Sequence, residues 1–301
     1  MAVTVVGSVA LDSIETPFGK RDRVLGGAAT HFSLAARFFT GVHVVGVVGE
    51  DFGNDELAVF SSRGIGTDDL RRVEGGRSFH WSGRYEEDMA VAHTLATELN
   101  VFADFDPQLS EGARRAETLF LANIQPDLQQ RVRGQSEARF SGLDSMNYWI
   151  ESARGPLVEA IGLVDVVSLN DAEVRMLTSE PNLARAARAV IDLGPRVTLV
   201  KQGPYGAAMY SRNEFFSIPA YPLETVVDPT GAGDSFAGGF FGYLDSLGDE
   251  EPPRNALRAA AVYGSVLGSF VVEDFGTERD QQLTREEIDA RFAEFREMMT
   301  F

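Results

Sequence analysis

The stretch that most constrains this chain runs from Val226 to Phe241, Val-Val-Asp-Pro-Thr-Gly-Ala-Gly-Asp-Ser-Phe-Ala-Gly-Gly-Phe-Phe. A β-branched pair ends at Asp228 and Pro229, where the chain must turn. Gly231, Ala232 and Gly233 then form a loop without bulk, and Asp234-Ser235 opens a run of helical character. Small residues let backbone N–H groups approach a ligand, and the first turn of a helix aims further unpaired N–H groups at the same point. Such a place binds anions, phosphate above all. A carboxylate in that turn, Asp234, stands where it can take a proton from a hydroxyl, so cradle and base together point to phosphoryl transfer. Composition alone leaves a plainer reading open, a Gly-rich turn with Asp234 as a helix cap.

The rest of the chain narrows the setting. A net charge of −18 disfavours nucleic acid and anionic membrane surfaces as partners. A phosphate substrate would then be held by local dipoles, Mg²⁺ and a few cations. There is no cysteine, which removes disulfides, thiolate metal sites and cysteine nucleophiles and fits a cytoplasmic location. His31, His43, His80 and His93 show no metal-ligand spacing. The N-terminus lacks a basic n-region and reads as a first strand, and no apolar run approaches a membrane span.

Along the chain, short β-branched runs alternate with helical stretches, which predicts an α/β fold with a parallel sheet wrapped by helices. Val3 to Val6, Val42 to Val48, Thr118 to Asn123, Arg139 to Asp144, Val164 to Leu169 and Val197 to Lys201 read as strands, and Ile65 to Leu70 as a connector. Ser13 to Val24 is polar and leaves the core, and Ser78 to Tyr85 alternates with aromatics. Residues 71–103 read as strand-rich, with Leu95 to Phe102 extended. We therefore expect one main domain over 1–301 with a small β-sheet lid built from about 12–25 and 71–103. Such a lid excludes water, so that phosphoryl passes to an acceptor rather than to hydrolysis. Phe79, Trp81, Arg84 and Tyr85 would floor a sugar or base pocket, or merely pack the lid or a dimer interface.

Ligands of open α/β sheets bind at the C-terminal edge of the strands. Asp12, past the first strand, suits a sugar hydroxyl pair there, or a turn. Gly26 and Gly27 allow close approach to a ligand or close helix packing, and Asp144 and Asn147 lie at the same edge. Asn170 and Glu173, spaced Asn-x-x-Glu, share a helix face and could hold Mg²⁺-bound water, although the residues alone favour a capping box. Lys201 is a cation at the end of a strand, on the nucleotide side or simply solvated. The helix Arg254 to Val272 carries Gly264 and Gly268 among other small residues and can lie close to a flat ring.

The string Asp228-Pro-Thr-Gly-Ala-Gly-Asp234-Ser-Phe-Ala-Gly-Gly-Phe resembles the C-terminal signature of the PfkB, or ribokinase-like, carbohydrate kinases. Gly26-Gly27 before a helix and Asn170-x-x-Glu173 follow in family order, so the resemblance spans nearly the whole length. It implies a ribokinase-like fold and an ATP-dependent kinase, a transferase acting on a primary hydroxyl of a sugar. A nucleoside kinase of the same family is the alternative. In that reading Asp234 is the base, with Gly231, Ala232 and Gly233 as the anion-binding loop. Asn170 and Glu173 serve Mg²⁺, joined by Asp228. Thr230, Lys201 and the Gly203-x-x-Gly206 turn line the nucleotide. The Asn that the family offers to the sugar is here His31, a departure that leaves the acceptor open. The resemblance also brings K⁺-type activation near Asp228 and Gly276, and a homodimer through the lid.

Two readings from other classes stay in view. One is a catalytically silent sugar- or nucleotide-binding sensor, against which an intact Asp234 loop argues. The other is a dinucleotide-dependent oxidoreductase, which lacks GxGxxG after the first strand. A P-loop kinase is disfavoured because GxxxxGK[ST] is missing.

Overall fold

Uninterrupted apolar runs decide which strands lie inside. In this computed structural model, which describes residues 1–89, 91–248 and 251–300, the chain opens with β1 (Ala2–Val6), β2 (Ala10–Thr16), β3 (Gly19–Gly26) and α1 (Ala28–Ala36). Next come β4 (Gly41–Gly49), α2 (Asn54–Ser61), β5 (Ile65–Val73), β6 (His80–Tyr85), β7 (Ala92–Glu98), a 3-10 turn at Asn100–Asp104 and α3 (Glu111–Arg114). The middle runs β8 (Thr118–Leu121), α4 (Pro126–Gln135), β9 (Phe140–Asp144), α5 (Asn147–Ser152) and α6 (Arg154–Ile161). It continues through β10 (Val166–Asn170), α7 (Asp171–Thr178), α8 (Leu183–Ile191) and β11 (Val197–Lys201). β12 (Ala207–Ser211) and β13 (Glu214–Ile218) form a hairpin before α9 (Ala232–Leu247), α10 (Arg254–Val271), α11 (Glu278–Gln282) and α12 (Arg285–Met298).

Nine strands make one sheet in the order β13-β12-β11-β10-β9-β8-β1-β4-β5. Its pairs are parallel except at the β11/β12 and β12/β13 edge. β1, β8, β9, β10 and β11 are buried almost end to end, as parallel strands covered on both faces must be. Neighbouring residues alternate between two cores. Val5, Phe120, Val166 and Leu199 join the core that includes α1, α9 and α10 residues. Val6, Leu121, Val167 and Val200 join the core that includes α4, α6 and α8 residues. Among the described residues no helix is long and apolar enough to cross a membrane.

α9 carries Gly238, Gly239 and Gly242, each costing roughly 1 kcal/mol against Ala in a helix interior. Packing explains them. A Cβ at Gly238 would strike the Phe32 carbonyl of α1, and one at Gly239 would stand 2.8 Å from the Tyr263 carbonyl of α10. The helix is thus held backbone to backbone between its neighbours. Phe32, stacked on Phe120 at 4.7 Å, and Phe241, 4.9 Å from Phe120, tie it to the sheet. This close packing fixes where the first turn of α9 points.

The second sheet, β3-β2-β6-β7, is the small one expected as a lid. Its bounds need correction at both ends. Ile65 to Leu70, expected as a connector, and residues 71–73, expected in the lid, together form β5, an edge strand of the large sheet paired parallel with β4. Its polar sequence, Ile-Gly-Thr-Asp-Asp-Leu-Arg-Arg-Val, hid a strand that is only half covered. The stretch expected to be extended through Phe102 leaves β7 after Glu98 and coils into the 3-10 turn.

Candidate functional site

Asp228 is where the loop before α9 is anchored. It is 1% exposed, and its Oδ1 accepts the Thr230 N–H at 2.9 Å while Oδ2 accepts the Gly276 N–H at 2.8 Å. One carboxylate therefore pins this loop to the one after α10. Gly231 follows with φ of 80°, a left-handed conformation that favours glycine. A Cβ there would also run into the ring of His31. Gly231 is the N-cap of α9 and offers no side chain to satisfy the helix end. Ser235 is the first residue bonded back into the helix, N–H to Gly231 O at 2.9 Å, so Gly233 and Asp234 present their N–H groups at the terminus. Asp234 sits in the first turn as a partly exposed side chain and not as the cap.

Three parallel strands deliver polar side chains to the same corner. Asp144 ends β9, Asn170 ends β10 and Lys201 ends β11, with Asn170 and Lys201 opposite each other in register. A Cβ at Gly233 would stand 2.8 Å from Lys201 Nζ, so the ammonium lies against the loop before α9. Burial raises the Asp234 carboxyl, opposed by the positive charge of His31 and Lys201 and by a hydrogen bond from Asp144. Asp144, 4% exposed, is pushed well above the carboxylate range by burial and then by the charge of Asp234. Of the two coupled carboxyl groups Asp144 is raised the more strongly, so burial and the neighbouring charge favour the shared proton on Asp144. Asn170 and Glu173 form a reciprocal capping box, Glu173 N–H to Asn170 Oδ1 and Asn170 N–H to Glu173 Oε2, each at 2.8 Å. The cap occupies Glu173 Oε2. Burial raises Glu173, with Lys201 opposing.

On the opposite side of the loop, Asp12 leans over Gly26, where a Cβ would overlap its carboxylate. Asp12 is 4% exposed, and its Oδ1 has no hydrogen-bond partner. Burial lifts its pKa to about 7 against the pull of His31 and of the Gly27 and Trp81 N–H groups. Gly27, with φ of 93°, begins α1 tight against the Ser8 carbonyl. His31 is 1% exposed and lies behind Gly231, its Nδ1 3.7 Å from Asp280 Oδ2.

The small sheet brings some of its expected residues to this corner and not others. Tyr85 reaches it, its hydroxyl 3.1 Å from Thr230 Oγ1. Trp81 lies on the same face two pairs away, packed over Gly83 with its Nε1–H donated to Thr94 at 3.2 Å. Arg84 alternates to the other face and pairs with Glu15 at 3.1 Å. Phe79 packs on Phe102 at 5.3 Å. Asn147 is exposed at the start of α5, its Oδ1 accepting the Tyr148 N–H.

The expected nucleotide glycines divide as well. Gly203, with φ of 54°, has open space beside it, whereas a Cβ at Gly206 would strike the Ile218 carbonyl. Gly264 is buried with its Cα turned to α9, where a Cβ would be 2.8 Å from Phe236 O. Its smallness serves the α9/α10 crossing. Gly268 is partly exposed above Ala232 O. Among the described residues no group of three or more His, Asp or Glu side chains forms a metal cage. A cavity of about 180 Å³ lined by Met1, Thr118, Phe140 and Asp245 opens at the far, N-terminal edge of the strands, away from these groups. Sequence reading passed over Asp280 altogether, because nothing local marks a residue that acts across 249 positions.

Comparison with known proteins places this corner in a family. The model for the pfkB family of carbohydrate kinases matches residues 5–283. A cytidine kinase of Thermococcus kodakarensis is 29% identical over 268 residues, covering 86% of this chain and 94% of the relative. A nucleoside kinase of Methanothermobacter thermautotrophicus is 27% identical, covering 89% and 85%. In three dimensions, the Burkholderia thailandensis nucleoside kinase solved with inosine superposes with a TM-score of 0.79 over 97% of each chain at 20% identity. With the large parallel sheet, the added four-stranded sheet and the Asp228–Asp234 loop in place, this chain is a member of the pfkB family of carbohydrate kinases.

Proposed function

We propose that this phosphotransferase moves the γ-phosphoryl of ATP to a primary hydroxyl of a nucleoside, with Asp234 as the base. The observation that carries the reading is Asp234 in the first turn of α9, beside a glycine loop whose N-cap has no side chain. Positioning and fixed charge carry most phosphoryl transfer. The N–H groups of Gly233 and Asp234 and the Lys201 ammonium stabilise charge that develops on the transferring phosphoryl. Asp234 accepts the acceptor hydroxyl's proton, and the helix terminus holds the phosphoryl in line.

Mg²⁺ fits the donor set as a metal that takes most of its oxygen ligands from phosphates and water. Glu173 and Asn170 would hold it, and it would neutralise phosphate charge. Asp228, with both oxygens engaged by N–H groups, supports the loop more than a metal. K⁺ beside the Asp228–Gly276 junction and a homodimer through the free edge of β7 belong to the same proposal. Turnover with and without K⁺, and light scattering, read them out.

A nucleoside is favoured over a sugar phosphate because the nearby arginines are already engaged. Arg84 pairs with Glu15 and Arg23 with Asp51, while Asp12 contributes a carboxyl. The names of the two relatives that align over most of the chain support it too. ADP release against a panel of nucleosides, pentoses, hexoses and sugar phosphates tests it. Highest kcat/KM on a nucleoside is expected. Preference for a free pentose such as ribose would replace the nucleoside with the sugar reading, and no phosphotransfer on any acceptor would favour the sensor.

A further inference from the structure

Behind the anion loop lies a buried pair that the chemistry above does not use. His31 and Asp280 are each 1% exposed, and Nδ1 stands 3.7 Å from Oδ2, an ion-pair distance longer than a hydrogen bond. Neither ring nitrogen of His31 and neither carboxylate oxygen of Asp280 has a hydrogen-bond partner. Two uncharged groups buried in this way would each lack compensation, whereas opposite charges compensate one another. Asp280 cannot swing away easily. Its own carbonyl accepts Arg37 Nη2 at 3.0 Å, the next carbonyl, of Gln281, accepts Arg63 Nη2 at 2.7 Å, and Gln281 Nε2 donates to Thr277 Oγ1 at 2.9 Å. α1, the end of α2 and α11 thus clamp the carboxylate under the imidazole.

The imidazole in turn bears on the loop. A Cβ at Gly231 would meet its Cγ, Nδ1 and Cδ2 together, so the ring face lies against the Gly231 Cα. We propose that His31, held as an imidazolium by Asp280, is a positioning residue that supports Gly231 from behind and supplies a fixed positive charge to the Asp234 corner. The charged groups that face it are Asp280 from α11, Asp234 from α9 and Asp12 from β2. Arg37, on its own side, acts on Asp280 and stays charged although burial lowers it to about 10. Burial by itself pushes the His31 pKa down, but Asp280, then Asp234 and Asp12, outweigh it and the net shift is upward. The same charge helps keep Asp234 ionised.

The inference rests on Asp234 as base, yet the pair can be tested apart from turnover. The chain has only four histidines, so the NMR signal lost in H31Q identifies His31. In the wild type that imidazole is expected to titrate above its ordinary value of about 6.5. In D280N the midpoint falls. In the pH profile of kcat, D280N moves the alkaline limb down with the NMR midpoint, while H31Q removes that limb and moves the acid limb up. At pH 7, kcat falls on the order of tenfold in either variant, and KM for ATP stays within about twofold. Adding D280N to H31Q leaves the remaining acid limb where H31Q put it. A His31 that stays neutral down to pH 6 overturns the proposal, as does a D280N variant that melts lower with unmoved limbs. Should D280N fail to fold, the wild-type titration decides. Absence of phosphotransfer on every acceptor would instead count against Asp234 as base and leave the NMR result to judge the pair.

Discussion

Tyr85 of the small sheet and Thr230 of the anion loop meet hydroxyl to hydroxyl at 3.1 Å. It is the contact by which β6 reaches the place where phosphoryl transfer is proposed. Burial pushes the Tyr85 phenol up to about 12, so it remains a neutral hydrogen-bonding group over the working range. Tyr85→Phe removes one hydrogen bond worth about 1 kcal/mol. We expect kcat/KM for the acceptor to fall about fivefold, and more ADP to form per phosphorylated product as water gains access. Unchanged coupling between ADP and product would show that the sheet does not seal the site through this contact.

Asp228 joins two loops by accepting one N–H on each oxygen. Asp228→Asn keeps one acceptor and turns an NH₂ toward either Thr230 N or Gly276 N, donor against donor. A buried N–H left unpaired costs about 1–3 kcal/mol. Urea unfolding should show that loss, accompanied by reduced turnover as the loop loosens. A variant with wild-type stability would mean that the junction is held elsewhere.

Gly231 and Gly203 both have positive φ, 80° and 54°, but differ in what surrounds them. Alanine at either position carries backbone strain of roughly 1–2 kcal/mol. Only at Gly231 does the new methyl also collide with His31. Gly231→Ala is therefore expected to melt lower than Gly203→Ala and to lose most of its turnover. Equal melting temperatures would argue against the ring lying where it does.

Asp12 makes stability depend on pH. Its folded pKa of about 7 stands above the ordinary 3.8 because burial penalises the charge. The sign follows from linkage. Below pH 3.8 the carboxyl is protonated in both states, so its contribution is fully present there, and it is lost as pH rises toward 7. Over that window the wild type loses on the order of 1.4 kcal/mol per pH unit relative to Asp12→Asn. Unfolding free energies of the two proteins at pH 4, 5.5 and 7 should diverge in that direction. Parallel curves would mean that burial does not penalise the Asp12 charge.

Several of these features were legible in the sequence because their signals are local. Val197–Lys201, the Asn170 and Glu173 cap and the loop before Asp234 are each set by neighbours along the chain. β5 was not, because an edge strand needs no apolar alternation. The face taken by Arg84 was not either, since it depends on a register in the small sheet that the sequence does not announce. Gly264 illustrates the same limit. Smallness is visible, but whether it admits a ligand or a second helix is decided by a partner elsewhere. The Asp144–Asp234 and His31–Asp280 pairs join strand ends and helices distant in sequence.

The most direct trial of the account is Asp234→Asn, assayed for phosphotransfer with the preferred acceptor from the panel. The side chain is nearly unchanged in size, so folding and ATP binding should stay close to wild type. Turnover should fall by about three orders of magnitude or more, as loss of a positioned base and its charge implies. An Asp234→Asn enzyme that transfers phosphoryl at the wild-type rate would contradict the assignment of the base and the chemistry built on it.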